Sequence, residues 1–182
     1  VYFMRPVGKG YAFVVPQYAR EGIQRMDYNL EMPKRAFSCL LQAKFKGAGA
    51  EFSRFLINTT VGLAGFYDPA RAWFGIETRD EDFGQAFAKW GMGPGCYLYL
   101  PIVLQCGTLR DGVGAIFDSA TDPRGAVGFI VPGAGAGAIA VFKFNNMTLK
   151  LDDIDRIKDE NFDSYTFSRD MWYLLRTAKI AE

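Results

Sequence analysis

Histidine is absent from all 182 residues. Without an imidazole the chain cannot build a Ser-His-Asp or Cys-His nucleophile pair from its own residues, and it loses the commonest transition-metal ligand. Cysteine is scarce: Cys39, Cys96 and Cys106 are odd in number and show no C-x-x-C spacing. That pattern argues against a disulfide framework while leaving room for one bond. Neither sign of charge is in excess, with 21 basic and 20 acidic residues and a net charge of +1, so no global field favours nucleic acid. No G-x-S-x-G, Walker A or H-E-x-x-H pattern occurs. Catalytic residues, a bound metal and a cofactor are therefore not expected, and neither is an enzyme. The amino terminus lacks the basic, apolar and small-residue sections of a signal peptide. Val1-Tyr2-Phe3-Met4 reads as the middle of an element, so the chain is expected to start inside a longer protein.

Charge is also missing locally. The 19 residues from Gly91 to Leu109 carry none, nor do the 18 from Gly125 to Phe142. Between them lies a polar insert, Arg110 to Arg124, with Asp111, Asp118 and Asp122. Roughly 20 apolar residues are what a helix needs to cross a bilayer. Gly93-Pro94-Gly95, Pro101, Pro132 and Gly133-Ala134-Gly135-Ala136-Gly137 break both tracts, which argues against straight spanning helices. Two readings remain. A turn-rich soluble core is the more ordinary one on pattern alone. A broken apolar–polar–apolar hairpin that dips into a membrane is the other.

Hydrophobic residues make up 49% of the chain and aromatics 15%, with 16 phenylalanines. That load exceeds what a small core needs, and amphipathic surface helices would use it. The periodicity is helical. After Pro16, the residues Tyr18, Ala19, Ile23, Met26 and Leu30 form an apolar stripe; after Pro33, Phe37, Leu40, Leu41 and Phe45 form another. A helix from about Ala48 to Thr60 is expected to turn Phe52, Phe55 and Leu56 inward. Asp68-Pro69 opens a short helix carrying Trp73 and Phe74. Asp80, Glu81 and Asp82 start the next, lined by Phe83, Phe87 and Trp90 and closed by Gly91. Thr108 and Asp111 resemble a capping box ahead of the stripe Leu109, Val113, Ile116, Phe117 and Ala120. The tail ends on an amphipathic helix with Tyr165, Met171, Trp172, Leu174 and Leu175, and the best strand pattern is Tyr97-Leu98-Tyr99-Leu100. The expectation is one mainly α domain over 1–182, without repeats.

Several motifs invite chemistry and have plainer readings. The Gly133–Gly137 run lacks G-x-G-x-x-G spacing; Gly133 and Gly137 suit close helix packing. Asp152, Asp153 and Asp155 lack the turn glycine and closing glutamate of a calcium loop. Glu77, Asp80, Glu81 and Asp82 are accounted for by the helix start they crowd.

At Arg54-Phe55-Leu56-Ile57-Asn58-Thr59-Thr60-Val61-Gly62-Leu63-Ala64-Gly65-Phe66-Tyr67-Asp68 the sequence resembles the MlaA/VacJ family of Gram-negative outer-membrane lipoproteins. The likeness continues in order through Glu81-Asp82-Phe83-Gly84-Gln85, Trp90-Gly91-Met92-Gly93, Tyr97-Leu98-Tyr99-Leu100-Pro101, Thr108-Leu109-Arg110-Asp111 and Asp163-Ser164-Tyr165. Departures exist: Ser38 stands where the family usually has Asn, Ala43 where Gly commonly follows Gln42, and Cys96 where Pro is usual.

The resemblance implies a ring-like, membrane-embedded domain of amphipathic and broken helices in the periplasmic leaflet of the outer membrane. In the full-length protein it would be lipid-anchored. Its amphipathic channel would remove misplaced phospholipid from the outer leaflet and pass it to a periplasmic carrier (MlaC-like), beside a porin trimer. Pro101 and Pro132 match the prolines that flank the family's helical hairpin. Arg110, Asp111, Asp118 and Asp122 are candidates for the polar side of the route, since charges facing lipid would each cost a few kcal/mol. Caps and headgroup-level surface charges are an equal account of each residue singly. A porin-binding scaffold that carries no lipid stays open as the alternative function, with a soluble lipid or small-ligand binder behind it.

Overall fold

The computed structural model describes residues 4–100, 105–125, 134–153, 156 and 163–181. Helices dominate: α1 (Met4–Val14), α2 (Gln17–Leu30), α3 (Met32–Leu41), α4 (Phe45–Thr60), α5 (Pro69–Phe74), α6 (Phe83–Lys89), α7 (Leu109–Ala120), α8 (Ala134–Thr148) and α9 (Ser164–Ala181). Strands β1 (Tyr97–Leu100) and β2 (Gln105–Thr108) pair antiparallel, Tyr97 opposite Thr108 and Leu100 opposite Gln105. The best strand pattern is thus a strand. The expected caps form too: the Asp68 carboxylate accepts the Arg71 N–H and that of Asp82 the Gln85 N–H, while Gly91 follows α6 at φ +89°. No helix among the described residues is long and apolar enough to cross a membrane.

What the helices bury is the reverse of what their stripes suggest. In α4 the buried residues are Gly47, Ala48, Glu51, Arg54 and Asn58, while Phe45, Phe52 and Leu56 face outward. Of the residues expected to face inward on α4, Phe52 and Leu56 therefore face outward, and Phe55 is half-buried. In α3, Arg35, Ser38 and Cys39 are buried and Phe37 and Leu40 exposed. In α7, Arg110 and Gly114 are buried, whereas Leu109, Val113, Ile116 and Phe117 are not. Trp73 and Phe74 of α5 are exposed as well. The largest wholly buried side chains are Gln85, Glu51, Asn145, Thr108, Cys39 and Ser38. An ordinary apolar core forms around α6, where Phe83 and Phe87 are buried and pack on the Phe117 ring at 5.8 and 5.5 Å.

The helices follow one another in a circuit. α2 touches α3, α3 touches α6, and α6 lies along α7. Arg124, just beyond α7, then returns to Asp27 of α2 and to Glu31 at its C-terminal cap, and closes the loop. α8 packs on α1 and α2, and α9 on α6 and β2. Tyr97 of β1 meets Trp172 and Tyr173 of α9 at 5.8 and 5.9 Å.

Glycines set the closest approaches. A Cβ on Gly114 would stand 2.5 Å from the Gly84 nitrogen, so α6 and α7 cross backbone to backbone. By contrast, a Cβ on Gly137 would meet nothing within 4 Å, so close packing at that end of the glycine-alanine run is not found; Gly133 lies outside the described residues.

Candidate functional site

Buried charges need partners, because an unpaired one costs several kcal/mol of desolvation. Among the described residues, much of this demand is met by three networks. The first joins α3, α4 and the segment leading to α6. The Arg35 Nε donates to Glu51 Oε2 at 2.7 Å, and the other Glu51 oxygen accepts the Arg79 N–H at 2.6 Å. Arg35 also lies over the Tyr28 ring, 4.0 Å from its centroid.

Next to it sits the block carrying the family likeness. Arg54 Nη2 donates to Asp68 at 2.8 Å and Nη1 to the Ile76 carbonyl. Asn58 donates to Asp68 at 2.9 Å and accepts the Ala70 N–H at 3.1 Å. Burial alone would push the Asp68 carboxyl up, but these donors hold it below the usual carboxylate range. Gly62 leaves no room for a side chain between the Asn58 and Tyr67 carbonyls, and Gly65, at φ +92°, abuts Asn29. Arg54, Asn58, Gly62, Gly65 and Asp68 thus lock the α4–α5 turn, with Phe55 on the wall of the adjacent cavity.

The second network closes the circuit. Arg124 meets Asp27, Glu31 at 2.6 Å and Asp122 at 2.5 Å, and Asn146 of α8 donates to Asp27 at 2.7 Å. Burial raises the Asp27 carboxyl against the pull of Arg124. The third joins α6, α7 and α9: Arg176 spans Asp82 at 2.6 Å and Asp111 at 2.8 Å, and the Thr108 hydroxyl donates to Asp111 at 2.9 Å. The Thr108–Asp111 pair therefore bonds side chain to side chain, since Thr108 makes no side-chain bond to the helix backbone. Asp118 accepts the Phe83 N–H at 3.2 Å, and burial together with Asp82 pushes its carboxyl up to about 6.

Of the polar residues named from the sequence, Arg110, Asp111 and Asp118 belong to the third network, with Arg110 buried against Asp111, and Asp122 belongs to the second. They are not gathered at one point. Gly84 sits where any side chain would strike Asp111 and Arg176, and the Trp90 indole donates to the Leu41 carbonyl at 3.0 Å. Pro101 and Pro132 lie outside the described residues. Sequence reasoning missed Arg35, Glu51, Asp27, Arg124 and Arg176. Their signal was present as polar stripes at helical spacing, such as Glu51, Arg54 and Asn58 on α4.

Between α2, α3 and α4 the interior opens into a cavity of about 370 Å³, whose walls include Tyr28, Asn29, Arg35, Glu51, Arg54 and Asn58. A cavity with charged side chains on its wall, set among helices with apolar exteriors, can shelter a charged or zwitterionic group from hydrocarbon.

Comparison with known proteins is consistent throughout the chain. The family model for the MlaA lipoprotein matches residues 1–179. An uncharacterised protein of Rickettsia bellii is 29% identical over 179 residues, 98% of this chain and 69% of its own length. The intermembrane phospholipid transport system lipoproteins MlaA of Haemophilus influenzae and Escherichia coli are 33% and 35% identical, over 65% and 64% of this chain and 48% and 47% of theirs. A solved structure from work on maintenance of bacterial outer membrane lipid asymmetry matches all of this chain and 89% of its own at a TM-score of 0.80 and 27% identity.

Proposed function

Because the chain belongs to the MlaA lipoprotein family, we propose that it takes part in intermembrane phospholipid transport. It acts without chemistry, removing misplaced phospholipid from the outer leaflet of the outer membrane and passing it to a periplasmic carrier. One observation supports this above all: around α3, α4 and α5 charged side chains are buried while aromatic ones stand exposed. Glu51 is 0% exposed and Arg35 3%, while Phe52 is 55% and Trp73 68% exposed. Such an arrangement is unfavourable in water, where apolar burial is worth roughly 25 cal/mol per Å². It is favourable in lipid, whose tails cover the outside while the headgroup travels beside the polar inside.

On this reading the domain spans 1–182 and sits in the periplasmic leaflet, lipid-anchored in the full-length protein, next to a porin trimer. Arg110, Asp111, Asp118 and Asp122 border the route, and the segment from Pro101 to Pro132 shapes it. Pro101 and Pro132 act as its hinges, because proline fixes φ and interrupts helical hydrogen bonding. Replacing both by alanine is expected to impair lipid clearance more than two matched surface substitutions.

The decisive experiment quantifies outer-leaflet phospholipid after a clean deletion in the source organism, with complementation by the full-length gene. Accumulation that complementation reverses is expected. Unchanged outer-leaflet phospholipid, with no second copy present, would sink the transport reading and leave a porin-binding scaffold.

A further inference from the structure

Two cations beside the turn between α3 and α4 stand without a partner. The exposed side chains of Lys46 and Arg79 make no ion pair or hydrogen bond among the described residues. The acids of the adjoining segments are already taken. Glu81 accepts from Lys44 at 2.8 Å and Gln42 at 2.7 Å, and Glu51 accepts from Arg35 and from the Arg79 N–H. Glu77 faces Arg71 at 3.6 Å, and Asp80 pairs with Lys179. Lys44, Lys46 and Arg79 share the wall of one surface recess of about 520 Å³, with Phe45 between the two lysines. Arg79 is held against the first turn of α4: its N–H donates to Glu51 at 2.6 Å, and its Cγ lies 3.8 Å from where a Cβ of Gly47 would stand.

Local stability does not account for these cations. Lys44 and Lys46 sit at the start of α4, where the helix dipole favours negative charge, and that turn carries neither an acidic residue nor a side-chain cap. The exposed ring between them has a continuation. Phe45 is 70% exposed, and Phe52 and Leu56 carry the outward apolar face on along α4. That face therefore ends in a cluster of positive charge. Lysine and arginine at such a boundary lay their stems along apolar surface while their charges reach the polar layer. A soluble acidic partner would meet the cations alone. An anionic membrane surface meets the cations and the continuous apolar face together.

We propose that the α3–α4 turn is a contact with an anionic phospholipid surface, in which Phe45 enters the apolar layer while Lys44, Lys46 and Arg79 meet lipid phosphates at headgroup level. This goes beyond the transport reading and rests on its placement of the domain in a membrane. It sets which edge of the domain lies at the headgroups, and it gives the domain a preference for anionic lipid.

The full chain, purified in maltoside detergent, is diluted into vesicles of phosphatidylcholine alone or with about 30% phosphatidylglycerol, and the bound fraction is read by flotation. Each lysine or arginine near an anionic surface adds roughly fivefold in affinity. Lys46→Gln with Arg79→Gln is therefore expected to lower binding to the phosphatidylglycerol vesicles about 25-fold and to leave neutral-vesicle binding within about twofold. Both side chains are exposed and unpaired, so this variant should keep the parent's unfolding midpoint. Lys143→Gln with Lys150→Gln removes the same charge from exposed positions on α8 and just after it, and is expected to cost much less binding. Phe45→Ser is expected to weaken binding to both vesicle types. A parent that binds both vesicles alike would overturn the contact, and so would equal losses in the two double variants. A preference abolished by inorganic phosphate but not by chloride of equal ionic strength would assign the cluster to a free anion and overturn it as well. The deletion experiment above judges transport independently of all these outcomes.

Discussion

Two glycines of α7, two residues apart, should respond to alanine with opposite signs. At Gly114 a Cβ would lie 2.5 Å from the Gly84 nitrogen, 2.8 Å from its Cα and 3.2 Å from the Phe83 carbonyl carbon. Carbon contacts settle at about 3.5–4.0 Å, so the overlap is roughly 1 Å, and every neighbour is backbone that cannot rotate away. α6 and α7 must separate by about that distance. The shift would stretch the 3.2 Å bond from the Phe83 N–H to Asp118 and open the ring contacts of Phe83 and Phe87 with Phe117. A gap of that size forfeits a quarter to a half of each dispersion contact. Overpacking of this kind costs about 1–3 kcal/mol, and backbone on all sides places Gly114→Ala at about 3. Gly112 has open space around it, so Gly112→Ala should gain about 0.5–1 kcal/mol from helix propensity. Thermal unfolding in detergent followed by circular dichroism reads both, at about 2–4 °C per kcal/mol for a chain of this size. Midpoints for the two variants within about 2 °C of each other would refute the backbone-to-backbone crossing.

Ala43 adopts φ +58° in the turn between α3 and α4, so Ala43→Gly should stabilise the chain by about 1 kcal/mol, measured as a rise in unfolding midpoint. Arg124→Gln leaves Asp27, Glu31 and Asp122 without their shared cation and should cost about 3–5 kcal/mol in denaturant unfolding. The Asp118 carboxyl titrates near 6 in the folded chain, above its unfolded value, so the folded state holds that proton more tightly. Its contribution is most favourable below about pH 4 and is lost as pH rises through 6. Asp118→Asn should therefore be more stable than the parent at pH 7, by about 1–2 kcal/mol after allowing for its partial exposure, and the difference should vanish at pH 4.

Helical period, caps and turns were legible in the sequence because they depend on neighbours within one or two turns. Asp68-Pro69, Asp82 and Gly91 each do what local chemistry dictates. The direction of the stripes was not legible residue by residue. An amphipathic helix has two faces at the same period, and nothing local says which one meets the interior. On α4 the choice falls on Glu51, Arg54 and Asn58 because partners for their charges arrive from elsewhere: Arg35 from α3 and Asp68 from beyond the turn. α6 keeps the ordinary sense, with Phe83 and Phe87 inside. The candidate polar residues of the insert are tied into these networks, and the residues that hold them, Arg124 and Arg176, stood outside any motif.

The closing contacts of the circuit also set the order in which the chain can fold. Arg124 pairs with Asp27 across 97 residues, Asn146 with Asp27 across 119, and Arg176 with Asp82 across 94. Pairings of such sequence separation form late, since their loop-closure entropy must be met before they contribute. Until then a half-made chain holds Asp27 and Glu31 without their cation while Phe37, Phe52 and Trp73 already face outward. The most aggregation-prone moment in its life is therefore before ring closure, when neither face has its partner. An escort that covers the aromatic side during that interval would do for the nascent chain what lipid would do for the finished one on the proposed reading.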